Sequence, residues 1–135
     1  SESPCEILII KPPSVQYQNW QVATSLPFKG ESRFDFGLFE AQDYDDLIDH
    51  PVEMGEFECI SFKACGVPHD VILTGRYQCD AVRLKQDLTK ICEHHIHFFG
   101  EPAPMEYYQF KVIVVGDGYG GLEHRASTSL MCNRD

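Results

Sequence analysis

Short apolar runs broken by turn-forming residues fill the first half of the chain, and one long helical stripe follows them. Residues 5–10 (Cys-Glu-Ile-Leu-Ile-Ile) are apolar and rich in β-branched side chains, and Lys11-Pro12-Pro13 ends them, which predicts a strand. Residues 20–25 predict a second short strand, stopped by Pro27. Residues 28–37 keep no period and read as a connector, the natural place for a domain boundary. Residues 43–49 predict a short helix with acids in its first turn, where the helix dipole favours them, closed by Pro51. Residues 56–64 and 69–74 predict two strands joined as a hairpin near Gly66-Val67-Pro68.

The strongest periodic signal runs over residues 80–99. Asp80 is a good N-cap, and Leu84, Leu88, Ile91, Cys92, Ile96 and Phe99 recur at helical spacing. Arg83, Asp87, Lys90, His94 and His97 form the polar face, with His95 on the apolar stripe. Gly100 and Pro102 supply the stop. Residues 107–115 predict an apolar, β-branched strand, the glycine loop Gly116-Asp-Gly-Tyr-Gly-Gly121 follows, and residues 122–132 alternate as one further strand. The predicted fold is α+β: a mixed, mostly antiparallel sheet packed on one long helix.

Composition narrows the partners. The formal net charge of −10 argues against nucleic acid, whose phosphates need clustered Lys and Arg. Residues 34–62 hold no Lys or Arg at all, yet their acids lack the spacing and turn glycine of a calcium loop, so they read as a solvated surface. No apolar run reaches the roughly 20 residues of a membrane helix. The six cysteines make no Cys-x-x-Cys pair and sit in a chain with ample apolar core, so they read as mostly buried free thiols. A reducing, cytoplasmic setting is the corresponding expectation.

Several chemistries can be weighed on the residues alone. Gly116, Gly118 and Gly121 match Gly-x-Gly-x-x-Gly after a strand, but a nucleotide site needs a helix next, and the following residues alternate like a strand. His94 and His97 could share a metal only if a third ligand arrived from elsewhere; solvated histidines are the plainer reading. None of the six histidines is followed directly by Glu, so the His-Glu-x-x-His zinc motif is absent, and no Gly-x-Ser-x-Gly elbow occurs. Gly120-Gly121-Leu122-Glu123-His124 remains: two glycines leave room for another backbone, an exposed strand can pair with a peptide, and Glu123 could meet an ammonium group. A Glu on a strand is usually only exposed, so a catalytic edge, a non-catalytic peptide-binding module and a nucleotide-binding enzyme stay open at this point.

The segment Asp117-Gly-Tyr-Gly-Gly-Leu-Glu-His-Arg-Ala-Ser-Thr-Ser-Leu-Met-Cys132 closely resembles the glycyl aminopeptidase family, zinc metallopeptidases with a thermolysin-like catalytic domain and a PDZ domain. Asp43-Tyr-Asp-Asp-Leu-Ile-Asp-His-Pro-Val-Glu-Met-Gly55, Val67-Pro-His-Asp-Val71 and Lys90-Ile-Cys-Glu93 before Phe98-Phe-Gly-Glu101 look like further hallmarks, in matching order. The resemblance covers nearly the whole chain. It implies that residues 1–37 are the tail of a β-rich N-terminal domain and that 38–135 are the opening half of the catalytic domain. It also implies that the zinc ligands lie beyond Asp135. This chain would then hold no catalytic residue and no metal ligand, would need no cofactor itself, and would be inactive without the remainder of its own catalytic domain. Gly-Gly-Leu-Glu-His is similar in position to the Gly-x-Met-Glu-Asn motif of aminopeptidase N. Carried over, Glu123 would bind the α-ammonium of a peptide with a free N-terminus, and Gly120 and Gly121 would offer backbone to it. The implied reaction is zinc-dependent removal of N-terminal residues, with glycine and alanine favoured.

Overall fold

The structure, a computed structural model, describes residues 3–75 and 77–134. It divides into two units, Ser1–Phe57 and Glu58–Asp135. The division therefore falls after Phe57, whereas residues 37/38, the joint expected from the aperiodic connector, lie inside a strand.

The first unit holds β1 (Cys5–Ile9), β2 (Gln21–Ala23), β3 (Gly37–Ala41), α1 (Tyr44–Ile48) and β4 (Glu53–Gly55). β1 pairs antiparallel with β3, placing Ile7 opposite Phe39, and β2 pairs antiparallel with β4. Phe28 bridges to Phe39, so part of the supposed connector is tied to the sheet. Val22, Leu26, Phe39 and Ala41 form the buried centre. The Asp43 side chain accepts the Asp46 backbone N–H at 2.8 Å, which caps α1 as its position predicts.

The second unit contains β5 (Glu58–Ala64), β6 (Val67–Gly75), α2 (Ala81–Phe99), β7 (Tyr108–Val115), β8 (Gly120–Glu123) and β9 (Ser127–Asn133). Its five-stranded sheet has the order β5-β6-β7-β9-β8. β5 and β6 form the predicted hairpin through a two-residue turn, Cys65-Gly66, both at positive φ (48° and 77°). That is the primed turn whose twist matches the strands it joins. α2 then carries the chain back, so β7 lies parallel to β6.

Two expectations are corrected here. The sheet is not mostly antiparallel, because β6–β7 and β7–β9 are parallel while β5–β6 and β8–β9 are antiparallel. Residues 122–132 are not one strand but the two arms of a second hairpin, folded at His124–Ser127. Asp80 caps α2 by accepting the Arg83 N–H at 3.1 Å, and Gly100 ends it at φ 97°. Cys92 and Ile96 bury against Phe62, Ala64, Val71 and Leu73, with Leu88 beside them. Ile91, His95 and Phe99, assigned to the same stripe by spacing, are exposed instead.

All six cysteines are free thiols, as expected, but only Cys92 is buried, and Cys59 and Cys79 are exposed. No described helix is long and apolar enough to cross a membrane.

Candidate functional site

β8 is an edge strand whose ladder partner among the described residues is β9, and all four of its residues are exposed. Gly120, Gly121 and Glu123, the three substrate-binding residues expected from the sequence, therefore sit together on one sheet edge. The loop before it is fastened to the end of β9: the Gly118 N–H donates to Asn133 Oδ1 at 2.7 Å, and the Arg134 N–H donates to the Val115 carbonyl at 2.9 Å. No helix follows that loop among the described residues, so it lacks the helix N-terminus a dinucleotide phosphate needs.

Backbone direction along β8 follows from one hydrogen bond. The His124 N–H donates to the Ser127 carbonyl at 2.8 Å, which makes these two a hydrogen-bonded pair at the hairpin end. Glu123 opposite Thr128 is then a non-hydrogen-bonded pair, Leu122 opposite Ser129 a bonded one, and Gly121 opposite Leu130 again non-bonded. In an antiparallel ladder the non-bonded positions turn their N–H and C=O away from the partner. Gly121 and Glu123 thus present their backbone groups outward, to any strand that would lie alongside.

The side chains fit this arrangement. A Cβ at Gly121 would lie 3.1 Å from Leu130 Cδ2, tighter than ordinary contact, so glycine lets the edge lie close over Leu130. A Cβ at Gly120 would meet nothing within 4 Å, so that position is simply open. Glu123 shares a sheet face with Thr128, and Thr128 is hydrogen-bonded through its hydroxyl to Tyr108. Burial raises the Tyr108 phenol's pKa, partly offset by Thr128, and the Glu123 carboxylate contributes a smaller push the same way. One register further in, buried His69 packs on Phe62 and Tyr108 and bonds through Nδ1 to the Val67 carbonyl at 2.8 Å. A row of polar groups thus leads from the buried His69 through Tyr108 and Thr128 to the open edge at Glu123.

Tyr108 and Thr128 were not singled out by spacing, because their meeting depends on strand order. The histidine cluster also resolves. His94 and His95 are exposed, while His97 lies between Cys65 and Glu101. Burial, and then the Glu101 and Glu93 carboxylates, push the Cys65 thiol up.

Residues 1–56 match the Peptidase M61 N-terminal domain, and M61 is the glycyl aminopeptidase family. Among solved structures, an aminopeptidase N family protein from Idiomarina loihiensis superposes with a TM-score of 0.92 at 44% identity. That match covers 98% of this chain, and this chain spans 22% of that one. A comparison with curated proteins finds no match. The chain is therefore related to peptidases, through an N-terminal M61 match and a near-complete likeness to part of an aminopeptidase N family protein.

Proposed function

We propose that this chain supplies the substrate edge of a zinc-dependent aminopeptidase that removes N-terminal residues, small ones such as glycine and alanine among them. Residues 1–57 would be the end of a β-rich domain and 58–135 the opening part of a thermolysin-like catalytic domain. The observation that carries the reading is Glu123 at an open strand edge whose outward backbone groups belong to Gly121 and Glu123 itself. An extended peptide added along β8 would pair with those groups, and its free ammonium would meet the Glu123 carboxylate in a charge-assisted hydrogen bond. Holding the amino end fixes which peptide bond lies over the reacting centre, so binding becomes orientation.

No histidine here is followed by Glu, so the His-Glu-x-x-His pair of such an enzyme's catalytic zinc would come from outside these residues. When bound by the remainder of the catalytic domain, the zinc would activate water and polarise the scissile carbonyl. Free thiols at all six cysteines fit a reducing, cytoplasmic setting.

The test is Glu123→Ala in the parent polypeptide. We expect kcat/KM on alanine p-nitroanilide to fall by about 2–4 kcal/mol of transition-state stabilisation, roughly 30- to 900-fold, with less loss for Glu123→Gln. Unchanged kinetics, or equal affinity for free and N-acetylated peptides, would defeat the assignment; the second result would favour a non-catalytic peptide-binding module.

A further inference from the structure

At the far end of α2 three side chains of different chemistry converge. The Cys65 Sγ, in the β5–β6 turn, lies 3.6 Å from His97 Nε2. The other ring nitrogen, Nδ1, lies 3.1 Å from Glu101 Oε1. One donor atom from each of the three falls within 4.8 Å of the others. They come from separate pieces of backbone: a tight turn held by positive φ at Cys65 and Gly66, the last turn of α2, and the segment just after Gly100. An open cavity of about 610 Å³ adjoins them, with Cys65 and Glu101 in its wall.

We propose that Cys65, His97 and Glu101 form a binding site for one divalent cation of the zinc class. The separation of the first two donors supports it. Zinc bonds of about 2.3 Å to sulfur and about 2.0–2.1 Å to imidazole, at a tetrahedral angle, put S and N about 3.6 Å apart, the spacing observed between Sγ and Nε2. The hydrogen-bond pattern is also suited. Nδ1–H donating to Glu101 leaves the lone pair on Nε2, the nitrogen turned to Cys65, as in metal sites where a carboxylate orients the imidazole. A thiolate and a carboxylate carry two negative charges, which a divalent ion neutralises while the imidazole stays neutral. Thiolate with imidazole selects zinc, cobalt or copper over the hard ions calcium and magnesium, which take oxygen. Cys65 Sγ and His97 Nε2 would be the direct ligands, with Glu101 behind the imidazole and the remaining positions open to the cavity and to water. Such an ion would fasten the end of α2 to the β5–β6 turn.

Cobalt is the probe. Chelator-treated, reduced protein titrated with Co2+ is expected to show a thiolate-to-metal band in the near ultraviolet that saturates at one equivalent and is displaced by Zn2+. Cys65→Ser should abolish the band. His97→Gln, on an exposed helix position where folding is not at stake, should weaken binding by at least about tenfold. Glu101→Gln should weaken it less, and Cys59→Ser should leave it intact, with circular dichroism confirming the fold of each variant. Absence of saturable binding would overturn the proposal, and so would a cobalt band that survives both Cys65→Ser and His97→Gln.

Discussion

His69 sits buried between Phe62 and Tyr108, and burial is what lowers its pKa, against the smaller raising effects of the Val67 carbonyl and Asp70. The folded chain therefore keeps this imidazole neutral at a pH where the unfolded chain protonates it. As pH falls below the unfolded value of about 6.5, the unfolded state takes up a proton the native state refuses, and stability declines until the folded pKa is passed. Urea denaturation at pH 7.5 and 5.5 should show that decline in the wild type and a shallower one in His69→Asn; equal slopes would remove His69 as the cause. Single positions were legible in the sequence where chemistry and location coincide in the chain. Glu123 after two glycines is such a case, and so is Asp80 at a helix start. Tyr108, Thr128 and Cys65 were not, because each acquires its partner from a strand or helix distant in sequence.

Among the secondary-structure elements, α2 was the most legible, since its stripe runs for five turns and both ends carry stop signals. Removing the cap with Asp80→Ala should cost about 1 kcal/mol, read as a lower thermal midpoint and reduced helicity. No change would mean the Arg83 N–H finds another acceptor. The stripe was drawn too wide because spacing cannot tell how much of a helix face a small sheet covers: Leu88, Cys92 and Ile96 reach the core, while Ile91 and Phe99 fall beyond it. The β8–β9 hairpin was illegible for a different reason. Its turn, at Arg125-Ala126, contains no Gly, Pro, Asn or Asp, so a period of two runs through it unbroken and places Glu123 on the face of Ser127 rather than Thr128. β3 and β4 carry no legible signal either, being short and set in a stretch without alternation.

For the chain as a folded body, the presence of one long helix among many short strands followed from the sequence, but the number, order and direction of the strands did not. Period-two patterning specifies a face, not a neighbour, and the parallel placement of β6, β7 and β9 depends on how α2 and β8 return the chain. The division after Phe57 was hidden similarly, because residues 28–41 are irregular in sequence yet joined to β1 through the β1–β3 ladder and the Phe28–Phe39 bridge. The alternating orientation along β8 has a consequence for isotope labelling. In deuterated buffer the amides of Gly120 and Leu122, turned inward, should retain their protons longer than those of Gly121 and Glu123, giving a slow-fast-slow-fast comb along four residues. A docked oligopeptide would erase the fast teeth of that comb while leaving the slow ones in place, so occupancy could be followed amide by amide without any turnover of substrate.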